Sequence, residues 1–259
     1  MLVDLHNHTP LCNHAEGTID AYIESAIKNN TNIFGFSDHA PMNFDPKYRM
    51  KFEEMQGYEK KILDAKKKYK NKITILLGYE VDYLPNKMDR RVLDADVDYL
   101  IGSVHFLEGW GFDNPEFLGK WKEQNIDEIW QKYFDTIEEM ANTKLFDIVG
   151  HFDLIKVFKF MPTKEILPMA KKALLAIKKS GMVLELNVAG YRKDVKEAYP
   201  SKELLEGAYK LDIPITFASD AHKPEQVALF NDEITKLARS VGYTKCAYFE
   251  KREMKFLDF

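Results

Sequence analysis

Short apolar runs alternate with amphipathic stretches along almost the whole chain. Seven runs read as strands: Leu2–His6, Asn32–Ser37, Ile73–Glu80, Tyr99–His105, Phe146–His151, Met182–Asn187 and Ile213–Ser219. Each is short and rich in Val, Ile, Leu, Phe or Tyr, as parallel strands buried on both faces should be. Stretches of helical pattern lie between them: Thr18–Asn29, Lys51–Tyr69, Asp127–Asn142, Thr163–Ser180, Ser201–Leu211 and Glu225–Val241. In the first of these Thr18 is a suitable N-cap, and Ala21, Ile23, Ala26 and Ile27 supply the apolar positions. The pairs Lys171-Lys172 and Lys178-Lys179 mark the solvated face of another.

This alternation predicts an α/β fold, a parallel sheet with crossover helices, either closed as a barrel or open and doubly wound. One irregular stretch, Glu108–Gln124, carries Gly-Trp-Gly and Asn-Pro and has the character of an active-site loop. No low-complexity segment, internal repeat or linker interrupts the 259 residues, so one domain over 1–259 is expected. Charge narrows the partners: the net value is −4, and no basic excess favours nucleic acid. Cys12 and Cys246 are too few for a disulfide framework and fit a reducing compartment. No basic-then-apolar leader opens the chain and no segment has transmembrane length, so a cytoplasmic protein without a membrane partner is expected. The pattern carries no signal for an oligomeric state.

The histidines change the picture most. His6, His8, His14, His39, His105, His151 and His222 avoid every predicted helix. Six lie at or near the C-terminal end of a predicted strand, and His14 lies in the loop after the first. In a barrel those strand ends converge on one face, so side chains distant in sequence meet in one cavity. Imidazole is the commonest protein ligand for transition metals, and several neutral imidazoles have little reason to converge without one. His6-Asn7-His8 puts two rings on the same side of a strand, and Asp220-Ala221-His222 repeats that spacing with a carboxylate first. Glu80 can supply oxygen at another strand end, Asp38-His39 again follows an apolar strand, and Asp4 and Asp82 suit hydrogen-bonding roles behind the ligands. Singly, each signal is weak: a lone His-x-His is often incidental, and His105 or His151 alone would pass for a core histidine. Jointly they point to a metal centre.

Asp4-Leu5-His6-Asn7-His8-Thr9, Cys12-Asn13-His14-Ala15 and Ser37-Asp38-His39-Ala40-Pro41 resemble the polymerase and histidinol phosphatase (PHP) superfamily. Gly78-Tyr79-Glu80, Gly102-Ser103-Val104-His105, Gly150-His151-Phe152-Asp153 and Ser219-Asp220-Ala221-His222 continue the likeness in order, up to His222. The segments around His14 and His39 look most like its stand-alone histidinol-phosphatase branch. The resemblance implies a distorted seven-stranded TIM-like β/α barrel and three divalent transition-metal ions, zinc, manganese or iron. By motif, the first ion would take His6, His8, Glu80 and Asp220. The second would share Glu80 and add His105 and His151, and the third would take His14, His39 and His222. The implied reaction is hydrolysis of a small-molecule phosphate monoester, L-histidinol phosphate, to L-histidinol and phosphate in histidine biosynthesis.

A phosphate monoester dianion repels hydroxide, so its hydrolysis needs charge neutralisation, a strong nucleophile and help for the leaving alkoxide. Two ions sharing Glu80 can take the pKa of a bridging water from ~15.7 towards neutrality. The third would offset charge growing on the phosphoryl oxygens. Glu80 and Asp220 are thus the expected catalytic carboxylates. Asp38 and Asp153 are candidates for the general acid, although orienting an adjacent imidazole suits both better. Arg192 is the candidate phosphate fork, and Glu16, Glu108 and Asp113 are candidates for the substrate ammonium. Cys12 is expected to pack rather than to ligate. Competing readings are a nucleotide phosphodiesterase or 3′→5′ exonuclease of the same superfamily, a metal-dependent amide hydrolase, and a non-catalytic metal-binding module. The acidic charge counts against nucleic acid. Three metals count against amide hydrolysis, and a complete ligand set counts against a silent module.

Overall fold

A computed structural model describes residues 2–259. Seven strands form one sheet in chain order, all parallel: Val3–Asp4, Ile33–His39, Thr74–Asp82, Tyr99–Ser103, Ile148–Val149, Val183–Asn187 and Ile215–Ala218. The sheet curls until its edges meet. Leu5 N donates to Phe217 O at 3.1 Å, His8 N donates to Ala221 O at 2.9 Å, and Asn7 bridges Ala221 in parallel register. Of the two arrangements open to the sequence pattern, the nearly closed barrel is the one formed.

The strands run unbroken through the core because their residues are apolar on both faces; Ile33 through Asp38 are all buried. Tyr99 ties the interior across. Its hydroxyl donates to Leu5 O at 2.6 Å, linking the fourth strand to the chain leaving the first. Its ring takes space that only glycine leaves free: a Cβ at Gly35 would lie 2.1 Å from the Tyr99 hydroxyl, and one at Gly78 2.6 Å from the ring.

Helices Ile19–Lys28, Met55–Tyr69, Ile126–Thr143, Ile166–Ser180, Lys202–Lys210 and Asn231–Val241 cover the outside of the sheet. Thr18 caps the first as expected, accepting from Ala21 N at 3.1 Å. Each buries one apolar face, as Trp130, Tyr133, Phe134, Ile137 and Met140 do in Ile126–Thr143. No helix of the described residues is long and apolar enough to cross a membrane.

Three segments depart from the sequence expectation. The last helix begins at Asn231 rather than Glu225, because the residues before it spend their hydrogen bonds on the strand end. Gln226 Oε1 accepts from His222 N at 2.8 Å, and Ala228 N donates to Ser219 Oγ at 2.8 Å. The stretch Glu108–Gln124 is not irregular. Phe106–Leu107 and Trp110–Gly111 form a small hairpin, and Pro115–Glu123 is a 3-10 helix anchored by buried Trp121, which stacks on Phe160 at 4.8 Å. Finally, Lys245–Glu250 and Glu253–Asp258 form an antiparallel hairpin that the pattern did not signal. It packs against the seventh strand and reaches the N-terminal end of the barrel, where Arg252 pairs with Asp147 and Lys251 N donates to Asp98 Oδ1 at 3.2 Å.

Candidate active site

All seven imidazoles meet at the C-terminal end of the barrel. Ring centroids lie 5.0 Å apart for His6 and His8, 4.1 Å for His8 and His222, and 4.5 Å for His8 and His39. His14 is 4.6 Å from His222, and His105 is 4.8 Å from His151. Glu80 is the hub. Its Oε2 lies 3.2 Å from His6 Nε2, 2.9 Å from His39 Nδ1 and 3.8 Å from His8 Nε2. Its Oε1 lies 3.0 Å from His151 Nε2 and 3.7 Å from His105 Nε2. Strand register explains part of this: His39 pairs directly with Glu80 across the second and third strands. Asp220 Oδ1 reaches His8 Nε2 at 3.3 Å, from a backbone in the left-handed region at φ 49°.

Side chains behind the rings fix their orientation. Glu185 Oε1 lies 2.6 Å from His6 Nδ1, and Asp82 Oδ1 lies 2.5 Å from His105 Nδ1. The backbone oxygens of Cys12 and Asp220 take the Nδ1 atoms of His14 and His222 at 2.8 and 3.2 Å. In each case Nε2 is left to face the centre, which is how ligand imidazoles are commonly held. Sequence reasoning missed Glu185. Its Oε2 also accepts from His151 N at 2.7 Å and Asn187 Nδ2 at 3.0 Å, so one buried carboxylate braces two strand ends. The available signal was a charge in the middle of the apolar run Val183-Leu184-Glu185-Leu186. Arg49, also missed, donates to Asp82 Oδ2 at 2.9 Å and holds it against His105.

Three groups bring potential ligand atoms within 4.8 Å of one another: His6, His8 and Glu80; Glu80, His105 and His151; and His14, His39 and His222. Asp220, which the motifs add to the first set, is in none of these groups and stands beside His8 at 3.3 Å. A fourth, His8, Cys12 and His222, brings the Cys12 sulfur into the same range. Cys12 is buried as expected, and burial pushes its thiol up so that it stays protonated. A divalent ion fits the arrangement: His6 Nε2, both ring nitrogens of His8 and Glu80 Oε2 are buried without hydrogen-bond partners. Imidazole nitrogen with carboxylate oxygen suits zinc, manganese and iron alike.

The charges are arranged for ligation. Burial opposes ionisation of Glu80, but His6, His39 and His105 outweigh it and hold the carboxyl well below its usual range. Asp220 is lowered in the same way, by His6 and His8 against burial. Burial together with neighbouring rings lowers His14 to about 4 and takes His222 well below its ordinary value, so both rings are neutral at pH 7. For His8, burial favours the neutral ring, yet Asp220 and Asp38 raise it to about 9; Asp82 and Glu80 likewise overcome burial and raise His105 to about 10. Ions bound at these two rings would each displace a proton.

The other expected residues separate. Arg192 lines the cavity, its Nη2 donating to Ser219 O at 2.9 Å and Asp220 O at 2.8 Å while Nη1 is buried and unpaired. Asp38 sits behind His8, 3.4 Å from Nδ1, with its oxygens engaged by Thr9 and by His39 N at 2.9 Å. Asp153 turns away from the rings to Lys156 Nζ at 2.8 Å and Ser201 N at 2.9 Å, so it orients no imidazole. Glu16 and Glu108 are exposed and paired with Lys223 and Lys132, whereas Asp113 faces the cavity. That cavity measures about 530 Å³, and Phe106, Pro115 and Phe117 are among the residues that line it. Its size is that of a small-molecule site.

The model of the PHP domain family matches residues 4–189. The chain belongs to the PHP domain family. The PHP match takes in His6 through Glu185, while Asp220 and His222 lie beyond it on the last strand end. A Deinococcus radiodurans protein named "Probable histidinol-phosphatase" is 37% identical over 98% of both chains. The Bacillus subtilis protein named "Histidinol-phosphatase" is 29% identical over 96% of this chain and 98% of its own. Among solved structures, histidinol phosphate phosphatase from Lactococcus lactis, complexed with zinc, L-histidinol and phosphate, superposes with a TM-score of 0.80 over 98% of each chain at 18% identity. That likeness shows the same PHP barrel fold.

Proposed function

We propose that this PHP protein is a metal-dependent phosphomonoesterase that hydrolyses L-histidinol phosphate to L-histidinol and phosphate, a reaction of histidine biosynthesis. The observation that carries the phosphoesterase reading is Glu80, one buried carboxylate facing five imidazoles at the floor of a cavity sized for a small ester. The substrate follows from the relatives, among them the Deinococcus radiodurans protein matched over 98% of both chains. Such an enzyme works in the cytoplasm, where the two buried free cysteines stay reduced.

Three ions are proposed: one on His6, His8, Glu80 and Asp220, one on Glu80, His105 and His151, and one on His14, His39 and His222. When bound, such ions supply Lewis-acid neutralisation of the phosphate dianion and bring the ionisation of water near neutral pH. The chain's own residues do the positioning. Glu185, Asp82 and the oxygens of Cys12 and Asp220 hold the ring nitrogens in the tautomer that leaves Nε2 free. Arg192, anchored through Nη2, offers Nη1 to a phosphate oxygen. Asp38 orients His8 instead of donating a proton to the leaving alkoxide, because both its oxygens are engaged.

The test is phosphate release by the metal-loaded protein from L-histidinol phosphate, p-nitrophenyl phosphate and a short single-stranded DNA. The proposal expects kcat/KM for L-histidinol phosphate to exceed that for the generic ester by about a hundred-fold or more, with no release from DNA. Turnover of the generic ester or DNA alone would keep a phosphoesterase and discard the histidinol substrate.

A further inference from the structure

Asp113 is the acidic side chain in the cavity that forms no ion pair among the described residues; the charges of His105 and His151 act on it only at longer range. Of the other carboxylates on the wall, Glu80 and Asp220 face histidines, Asp82 is held by His105 and Arg49, and Asp45 lies 3.5 Å from Arg49 Nη2. Asp113 has no ion pair among the described residues, although it lines the same cavity and is only partly exposed. Its place is firmly set. Phe112, the residue before it, is fully buried edge-on against Tyr133 at 5.4 Å, and its carbonyl accepts from Trp121 Nε1 at 2.9 Å. Asn114, the residue after it, caps the 3-10 helix Pro115–Glu123 by accepting from Glu116 N at 2.9 Å. The carboxylate is thus presented from a braced turn, beside an apolar wall of Phe106, Pro115 and Phe117.

An amino-alcohol phosphate carries two opposite charges on one short chain. With the phosphate drawn to the histidine floor, the ammonium must lose water in the outer half of the cavity, and it needs an anion there. Glu16 and Glu108 cannot serve, since their side chains are 70% and 77% exposed and already paired with lysines. We propose, resting on the histidinol-phosphate reading above, that Asp113 is the specificity residue that pairs with the substrate ammonium. A site built around such a charge pair discriminates strongly against a substrate lacking its partner, because the buried group is then left alone.

The experiment compares wild type, Asp113→Asn and Asp113→Glu on L-histidinol phosphate and on the same phosphate ester lacking the amino group, with metal content measured in each. Wild type should prefer the amine-bearing ester. Asp113→Asn should cut that preference by about ten- to a hundred-fold, mainly through KM, with wild-type metal content, and Asp113→Glu should restore part of it. An unchanged preference in Asp113→Asn overturns the assignment, as does loss of metal from that variant, which would make Asp113 part of the floor. A wild type inactive on L-histidinol phosphate overturns the functional reading first, and the wild-type arm alone reveals that.

Discussion

At the N-terminal end of the barrel the carboxylates Asp98 and Asp147 are both answered. Asp98 accepts from Leu77 N at 3.0 Å, Lys66 Nζ at 3.1 Å and Lys251 N at 3.2 Å, and Asp147 accepts from Leu100 N at 2.8 Å and from Arg252. At the C-terminal end, polar residues of the same sheet are equally buried but left incomplete: His6 Nε2, the His8 nitrogens and Glu80 Oε2 have no hydrogen-bond partner. Charge placed to hold a fold is satisfied within the fold, and an orphaned buried donor set marks where something else must bind. The C-terminal hairpin belongs wholly to the first kind of end, since its Arg252 and Lys251 complete the network there.

The contrast can be broken most violently at Glu80. Glu80→Ala should lose metal and about a thousand-fold or more of kcat/KM together, read by metal analysis and phosphate release. Wild-type turnover in that variant would remove the hub. Next in size is pH. In the metal-free protein His8 and His105 stand at about 9 and 10, above the ordinary 6.5. Their protonation therefore stabilises the metal-free fold fully below about 6.5, and that contribution is lost as pH rises through those values. Metal affinity runs the opposite way, rising with pH by up to about ten-fold per unit for each proton that a bound ion displaces. Metal titrations by calorimetry in buffers of different ionisation enthalpy should show proton release at pH 7, and none would contradict the assignment.

Glu185→Gln acts from behind the rings. It weakens the brace on His6 and on His151 N, so metal affinity should fall about ten- to a hundred-fold in competition with a chelator. At the opposite end Arg252→Ala should cost about 1–2 kcal/mol, a few degrees in Tm, by leaving Asp147 without its cation. Its kcat/KM should not change. A fall in activity there, with stability intact, would erase the distinction between the two ends.

Much of the site was legible because metal ligation demands residue types that nothing else at a strand end demands. The histidines with Glu80 and Asp220 could be read from side-chain chemistry and strand ends, and the structure brings them together. Barrel closure was not readable from periodicity, since a buried parallel strand has the same composition in an open or a closed sheet; it depends on the contact between Leu5 and Phe217. Glu185 was hidden inside an apolar run, and its role exists only because His6 and His151 arrive from distant parts of the chain. Asp38 and Asp153 looked alike beside their histidines. Only three-dimensional partners separate the one behind His8 from the one committed to Lys156. The final hairpin was missed because half its residues are polar and its purpose is to satisfy Asp98 and Asp147, which are far away in sequence.

The orphaned nitrogens and carboxylate oxygen at the C-terminal end of the barrel are the expected seat of a transition-metal centre. Anomalous diffraction from crystals of the metal-loaded protein, collected across the zinc, iron and manganese edges, tests it most directly. About three peaks are expected, one within each of the His6–His8–Glu80–Asp220, Glu80–His105–His151 and His14–His39–His222 groups. Crystals with no anomalous peak among these side chains, from protein that still hydrolyses L-histidinol phosphate, would contradict it.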